Sequence, residues 1–210
     1  MKALWMSRLM VPVLFLAPFA RAQHVAISGG GVFMPYRSSP PRPGTVGGLE
    51  RADFSDSPML AVDAGVYFFS FLGAGLHYSY SWPELSLYRG DAFGSSARVG
   101  LGVHTVAFEA LLHSRRMHGV RAFVFCGAGF SSFLLDVKEQ VEVPFARMKP
   151  PGREVTPVFT FGGGLEKRVA PWISGKIEIR DYVGSVPKSF YAPGGSWHRP
   201  SVVAGIILGR

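Results

Sequence analysis

The segment FTFGGGLEKRVAPWISGKIEIRDY, residues 159–182, contains two alternating runs that are joined by a short turn at residues 169–171. In the second run one face carries Ile173, Gly175, Ile177 and Ile179, and the other carries Ser174, Lys176, Glu178 and Arg180. Because strand side chains alternate with period two, this run predicts a strand with one apolar and one charged face. In a water-soluble protein the charged face meets solvent. In a membrane barrel the apolar face meets lipid and the charged face lines the lumen.

The N-terminus has the charged, apolar and small-residue order of a secretory signal peptide. Lys2 and Arg8 precede an apolar run over residues 9–19, which is followed by Ala20-Arg21-Ala22. The apolar run is about half the ~20 residues that a membrane-spanning helix needs. We therefore predict a signal peptide over residues 1–22 and one exported domain over residues 23–210. An uncleaved N-terminal anchor is the alternative.

The composition favours a protein that places an apolar surface in lipid. Hydrophobic residues make up 48% of the chain and charged residues only 17%. No later stretch approaches the ~18 apolar residues of a spanning helix, so a closed sheet is the remaining way to cross a bilayer. The lone Cys126 excludes an intrachain disulfide, and its apolar strand context predicts a thiol that packs and does not react.

Extended segments and connections of alternating length recur along the chain. Eight strands are predicted at residues 24–34, 59–69, 73–82, 101–113 and 120–136, in the two halves of the 159–182 hairpin, and at residues 200–209. The intervening long connections cover residues 35–58, 83–100, 137–153 and 183–198. Strands of ~9–11 residues with alternately short and long connections are typical of outer-membrane barrels. The predicted fold is therefore all-β, an eight-stranded antiparallel up-and-down transmembrane β-barrel after an N-terminal signal peptide.

The faces opposite the apolar ones gather charged residues from several of these strands. The predicted lumen set comprises Asp63, Glu109, Arg121, Glu166, Lys176, Glu178 and Arg180, with His77 beside them. An eight-stranded barrel is just wide enough for side chains to fill it. Because an unpaired buried charge is costly, these acids and bases are expected to pair with one another. We predict a structural lumen charge network, with a leaky channel as the alternative.

Three short motifs resemble a known group of proteins: Gly162-Gly163-Gly164-Leu165-Glu166, CGAGF at residues 126–130, and IEIRDY at residues 177–182. The sequence resembles the small outer-membrane β-barrel proteins related to the outer-membrane protein A transmembrane domain. The resemblance implies a signal peptide, an eight-stranded barrel in the cell outer membrane and no cofactor. Such barrels usually end in an aromatic residue that the barrel-assembly machinery reads, whereas this sequence ends at Arg210.

The expected function is that of a non-enzymatic outer-membrane protein with a structural or surface-interaction role. Without Lys2, Arg8 and Arg21 of the predicted signal peptide, 22 − 3 = 19 basic residues face 14 acidic ones. This excess of +5 favours contact with anionic lipid headgroups or lipopolysaccharide. The barrel-assembly machinery is the other expected partner. Nucleic acid is not expected to be a partner of an exported chain, and the protein is expected to be a monomer.

Two other functions remain alternatives at this point. In a lipid A deacylase-like barrel enzyme, His198, Ser201 and Glu178 would form the catalytic triad. However, the dipeptide Arg199-Pro200 separates the histidine from the serine, so that their side chains would point to different faces of the strand. A soluble periplasmic carrier of lipocalin-like shape would use the barrel interior for a ligand. We predict no catalytic, cofactor-binding or metal residues, since the spacing of the histidines and of the glycine triplets matches no standard motif.

Overall fold

The structure is a computed structural model that describes residues 23–35, 49–89, 96–135, 153–185, 187 and 196–209. The predicted signal peptide, residues 1–22, lies outside the described residues, as do much of the four predicted long connections and Arg210. The described part of the chain contains no helix with the length and apolar character needed to cross a membrane.

Ten antiparallel strands make up the described structure. They are β1 (His24–Val32), β2 (Leu49–Phe54), β3 (Ser57–Tyr67), β4 (Leu72–Ser81), β5 (Glu84–Arg89), β6 (Ser96–His113), β7 (Val120–Leu135), β8 (Arg153–Ala170), β9 (Ile173–Ser185) and β10 (Ser196–Gly209).

Eight of these strands close into a barrel. Their order is β6-β4-β3-β1-β10-β9-β8-β7, and the further pairing of β6 with β7 closes the ring. The first barrel strand, β1, pairs along its full length with the last, β10, with His24 opposite Gly209 and Val32 opposite Ser201. The predicted eight-stranded antiparallel up-and-down barrel is therefore confirmed.

The two ends of the barrel differ in their connections. At the turn end, β3–β4, β6–β7 and β8–β9 are joined within residues 68–71, 114–119 and 171–172. The turn between β6 and β7 uses left-handed backbone at His118 (φ 51°) and Gly119 (φ 81°), a conformation that glycine adopts without steric cost. The opposite end, from which the longer connections leave, is called the loop end below.

The predicted long connections contain more strand than the sequence indicated. β2 pairs with β5, and β5 pairs with the start of β6, where Glu84 lies opposite Gly100. β8 begins at Arg153 and β10 at Ser196, earlier than predicted. The prediction that residues 49–54 and 84–89 belong to long connections was therefore wrong. Strand propensity depends strongly on pairing partners, which the local sequence does not reveal.

The outer wall of the barrel is apolar. Its exposed large side chains include Ile27, Leu60, Phe108, Leu112, Val124, Phe130, Phe159, Phe161, Leu165, Ile177, Ile179, Val202, Ile206 and Leu208. Phe108 is 72% exposed, while Glu109, the next residue on β6, is 7% exposed. The wall thus has the reverse of the usual arrangement in water, where large apolar patches are rare on the surface.

β7 was ambiguous in the sequence, because Phe123 and Phe125 share a face with Arg121. The structure buries both rings inside the barrel and exposes Phe130 on the outside. Cys126 is also exposed on the outer wall. The expectation that this thiol packs against protein was therefore wrong, because the register of β7 turns it away from the lumen.

Glycines in β8 make room for these rings. Phe125 lies opposite Gly162, and Phe123 lies opposite Gly164. A Cβ atom at Gly162 would lie 2.6 Å from the Phe125 ring and would also clash with the Ile179 carbonyl oxygen. The glycine therefore permits an aromatic ring to fill a narrow interior, a pairing known to stabilise strand glycines.

Replacing this glycine is expected to destabilise the barrel. Gly162→Ala should lower the free energy of unfolding by about 1–3 kcal/mol, the usual cost of overpacking. Gly175→Ala is the matched control, since a Cβ atom there meets nothing within 4 Å. Urea unfolding in lipid vesicles measures both variants. Equal stability of the two variants would contradict this account of Gly162.

Candidate functional site: the charged lumen

The predicted lumen residues lie in two groups inside the barrel. Asp63, Glu109, Lys176, Glu178 and Arg180 form a central network. Arg121 and Glu166 form a second pair nearer the turn end. The structure brings the members of each group together from strands that are distant in sequence.

Lys176 joins two carboxylates of the central network. Its Nζ atom lies 2.6 Å from Asp63 Oδ2 and 3.0 Å from Glu178 Oε2. The Lys176 side chain is only 5% exposed. A buried ammonium with two carboxylate partners is compensated, so its burial does not carry the cost of an isolated charge.

Arg180 links Glu178 to Glu109. Its Nε atom donates to Glu178 Oε1 at 2.7 Å, and the two terminal nitrogens contact the Glu109 carboxylate, Nη2 at 3.2 Å from Oε2. Thr160 Oγ1 also donates to Glu109 Oε1, at 2.8 Å. The Arg180 Cζ atom lies 4.0 Å from the centroid of the Phe125 ring, a cation–π contact. The guanidinium thus forms hydrogen bonds through its edges and a cation–π contact through one face.

His77 extends the central network to residues that the sequence did not suggest. Its Nδ1 atom lies 2.5 Å from Asp63 Oδ1, and its Nε2 atom lies 2.8 Å from the Tyr182 hydroxyl. The Tyr182 hydroxyl donates to Met59 Sδ at 3.6 Å. The His77 ring thus links the Asp63 carboxylate to the Tyr182 hydroxyl across the lumen.

The second group lies near the turn end. Arg121 contacts Glu166 through Nε and donates from Nη2 to the Tyr67 hydroxyl at 2.8 Å. Arg116 Nη2 adds a longer contact to Glu166 at 3.6 Å. The Tyr67 ring stacks on His24 with a centroid distance of 4.7 Å. Tyr67 and Arg116 were absent from the predicted set, because neither lies in a run with a clear charged face.

A small cavity separates the two groups. Its volume is about 30 Å³, and charged side chains from both groups line it, among them Asp63, Glu166 and Lys176. Such a volume holds about one water molecule, far less than the ~300–1,000 Å³ of a small-molecule pocket. The lumen at this level therefore does not offer a binding site for an organic ligand.

Three side chains at the centre of the lumen carry atoms of the kind that bind metal ions. Ligand atoms of Asp63, His77 and Glu109 lie within 4.8 Å of one another. However, Lys176 and Arg180 already donate hydrogen bonds to those carboxylates. A divalent cation would have to displace two buried protein cations, so this donor set does not fit a metal.

Apolar side chains fill the lumen at the loop end. A buried cluster there includes Val32, Met34, Phe54, Met59, Leu85, Leu101, Val103, Phe133, Val158, Tyr182, Trp197 and Val203. The Phe54 and Trp197 rings pack with a centroid distance of 4.6 Å. Arg199 lies among these rings and donates from Nη2 to Ser131 Oγ at 2.7 Å. Phe54 and Leu85 come from the strands that the sequence did not predict.

The residues of the alternative triad do not meet. His198 is exposed, and its Nδ1 atom bonds Asp181 Oδ2 at 2.7 Å. Ser201 is fully buried and donates to the Arg180 carbonyl oxygen at 3.3 Å. Glu178 belongs to the central network. The serine and the histidine therefore lie on opposite sides of the wall, in agreement with their sequence spacing.

Comparisons with known proteins show the same architecture. No family model and no curated protein matches the sequence. The crystal structure of Neisserial surface protein A aligns with a TM-score of 0.56 and 10% identity, covering 89% of this chain and 96% of that chain. The outer membrane protein OprG from Pseudomonas aeruginosa aligns with a TM-score of 0.56 and 12% identity, covering 89% and 95%. At this identity the likeness concerns the fold, and at that level the predicted resemblance to small outer-membrane barrels is confirmed.

Removing one central cation is expected to destabilise the barrel strongly. Arg180→Leu leaves Glu109 and Glu178 without this partner, and the loss of one member of a buried pair costs about 3–5 kcal/mol. Adding Glu109→Gln should restore part of the stability, because one uncompensated charge disappears. Exposed Arg115→Leu is the control and should change the stability by less than about 0.5 kcal/mol. Denaturant titration of the refolded protein measures the free energy of unfolding of the two single variants and the double variant. If the double variant is no more stable than Arg180→Leu, charge pairing is contradicted.

Proposed function

We propose that this chain is an outer-membrane β-barrel protein without enzymatic activity, with a structural or surface-interaction role and a lumen closed by paired charges. The supporting observation is the inverted arrangement of the wall. Ile177 is 52% exposed on the outside, while its neighbours Lys176 and Glu178 are 8% and 3% exposed inside the barrel. Hydrocarbon is the solvent that makes this arrangement favourable.

The height of the apolar wall supports a lipid setting. On β9 the outward residues are apolar from Ile173 to Ile179, and the next outward residue is Asp181, which bonds His198. At about 3.3 Å per residue and a tilt of ~40°, the segment from Ile173 to Asp181 rises roughly 20 Å. That height approaches the ~25 Å apolar band of outer-membrane barrels.

The lumen residues take a structural role in this proposal. Asp63, Glu109, Arg121, Glu166, Lys176, Glu178 and Arg180 would hold strands together across the interior and not conduct or react. The 30 Å³ cavity and the apolar cluster at the loop end favour a filled cylinder over a leaky channel. The same filling argues against a lipocalin-like carrier, which needs room for a ligand.

The orientation follows the general rule for such barrels. Short turns face the periplasm and longer connections face the exterior, so the loop end would meet lipopolysaccharide and external partners. The separation of Ser201 from His198 supports a non-enzymatic role over a deacylase. Insertion by the barrel-assembly machinery and a monomeric state are parts of the same proposal.

The proposal predicts a heat-modifiable protein in the outer-membrane fraction. Without boiling, the folded barrel should resist dodecyl sulfate and migrate differently from the boiled chain, because its closed sheet has no free edge to open. Electrophoresis of the purified protein and cell fractionation measure this. Identical migration together with recovery in the soluble periplasmic fraction would overturn the proposal.

A lysine substitution on the outer wall tests whether lipid or water surrounds the barrel. Ile177→Lys should cost about 2–4 kcal/mol of folding free energy in vesicles, the usual cost near the bilayer midplane. Val169→Lys, at the turn end and 73% exposed, is the control and should cost about 0–1 kcal/mol. Denaturant titrations in phosphatidylcholine vesicles measure both. If Ile177→Lys is neutral, the wall faces water.

A further inference from the structure

A group of polar and aromatic side chains interrupts the apolar wall near the loop end. This rim patch consists of Tyr78, Tyr80, Trp82, His104, Ser132 and Arg153. On β6 the outward residues below it, including Phe108 and Leu112, are exposed and apolar. His104 lies eight residues above Leu112 on the same face, roughly 20 Å higher along the tilted strand. The rim patch therefore lies where a lipid headgroup layer would begin.

Neighbouring strands bring the members of the rim patch together. Tyr80 on β4 lies opposite His104 on β6, and His104 lies opposite Ser132 on β7. Ser132 Oγ accepts a hydrogen bond from Arg153 Nε at 3.0 Å. The row thus crosses four adjacent strands and ends at an exposed guanidinium.

Hydrogen bonds hold the polar members of the rim patch in place. His104 Nδ1 is paired with the Tyr78 hydroxyl at 2.8 Å. Ser132 holds Arg153 through Nε at 3.0 Å. Within the described part of the chain, Arg153 forms no ion pair with a carboxylate. A guanidinium that one hydrogen bond holds in place is well suited to bind phosphate.

Aromatic rings complete the surface beside these donors. Tyr80 lies 4.6 Å from His104 and 5.3 Å from Trp82, measured between ring centroids. Trp82 is 43% exposed. Exposed aromatic rings of this kind stack on the C–H face of a sugar ring, whereas a glycerol headgroup offers no such face. The combination of rings and phosphate donors favours a phosphorylated glycolipid over a glycerophospholipid.

We propose that the rim patch binds a phosphorylated, acylated glucosamine disaccharide of the lipid A class, with the phosphate at Arg153 and His104 and the sugar on Trp82. This inference rests on the proposed outer-membrane location. It adds to that proposal a defined surface and a lipid class, with the acyl chains along the apolar wall below the patch.

The test measures binding of diphosphoryl lipid A to the purified full chain in dodecyl maltoside by native mass spectrometry. Arg153→Gln should weaken binding by about tenfold, as expected for the loss of one charge-assisted hydrogen bond. Trp82→Ala should also weaken it. Arg115→Gln, which removes an exposed charge at the turn end, is the matched control and should leave the affinity unchanged.

Further binding measurements distinguish between the possible ligands. Dephosphorylated lipid A should bind the unmodified protein as weakly as diphosphoryl lipid A binds Arg153→Gln. Dioleoylphosphatidylglycerol should not compete at equal concentration, and equal competition would overturn the assignment to a glycolipid. Equal affinity of Arg153→Gln and Arg115→Gln would overturn the site. Heat-modifiability is measured for every variant. If the protein is heat-modifiable but does not bind lipid A, only the rim patch is refuted. If the unmodified protein is not heat-modifiable, the outer-membrane proposal is refuted.

Discussion

A carboxylate inside an eight-stranded cylinder must meet a cation, and this constraint governs the structure of the barrel. The interior is too narrow for bulk water, so charge compensation has to come from other side chains. Arg180 meets it by contacting Glu109 and Glu178 at once, and Lys176 does the same for Asp63 and Glu178. Since these residues come from three strands, β3, β6 and β9, the ion pairs also fix how the strands face one another across the lumen.

The same constraint explains the shape of the wall. Arg180 stacks on Phe125, and the Phe125 ring fits only because Gly162 has no side chain. The position of Arg180 on β9 therefore depends on Phe125 on β7 and on Gly162 on β8. Below this layer, Arg121 and Glu166 repeat the pairing of charges with an aromatic partner in Tyr67. The lumen is built as a stack of such layers, closed at the loop end by apolar side chains.

The barrel could be predicted from the sequence because the apolar and charged faces of its strands differ strongly in composition. In β9 each step from Lys176 to Arg180 changes between a buried charge and an exposed isoleucine, and this period identifies a strand and its lumen face together. The side chains that contact one another across the lumen could not be predicted. His77 and Tyr182 are 105 residues apart, and Thr160 reaches Glu109 from another strand. Such contacts depend on closure and tilt, which no local pattern encodes.

Two strands outside the closed ring have a separate consequence. β2 and β5 continue the sheet from the first residues of β6, yet the ring closes without them. The chain runs from β2 into β3 across residues 55–56 and from β4 into β5 across residues 82–83, so the extension joins the ring at more than one strand. Phe54 of β2 and Leu85 of β5 also belong to the apolar cluster that fills the lumen at the loop end. A substitution at either position therefore changes the outward extension and the plug of the barrel together.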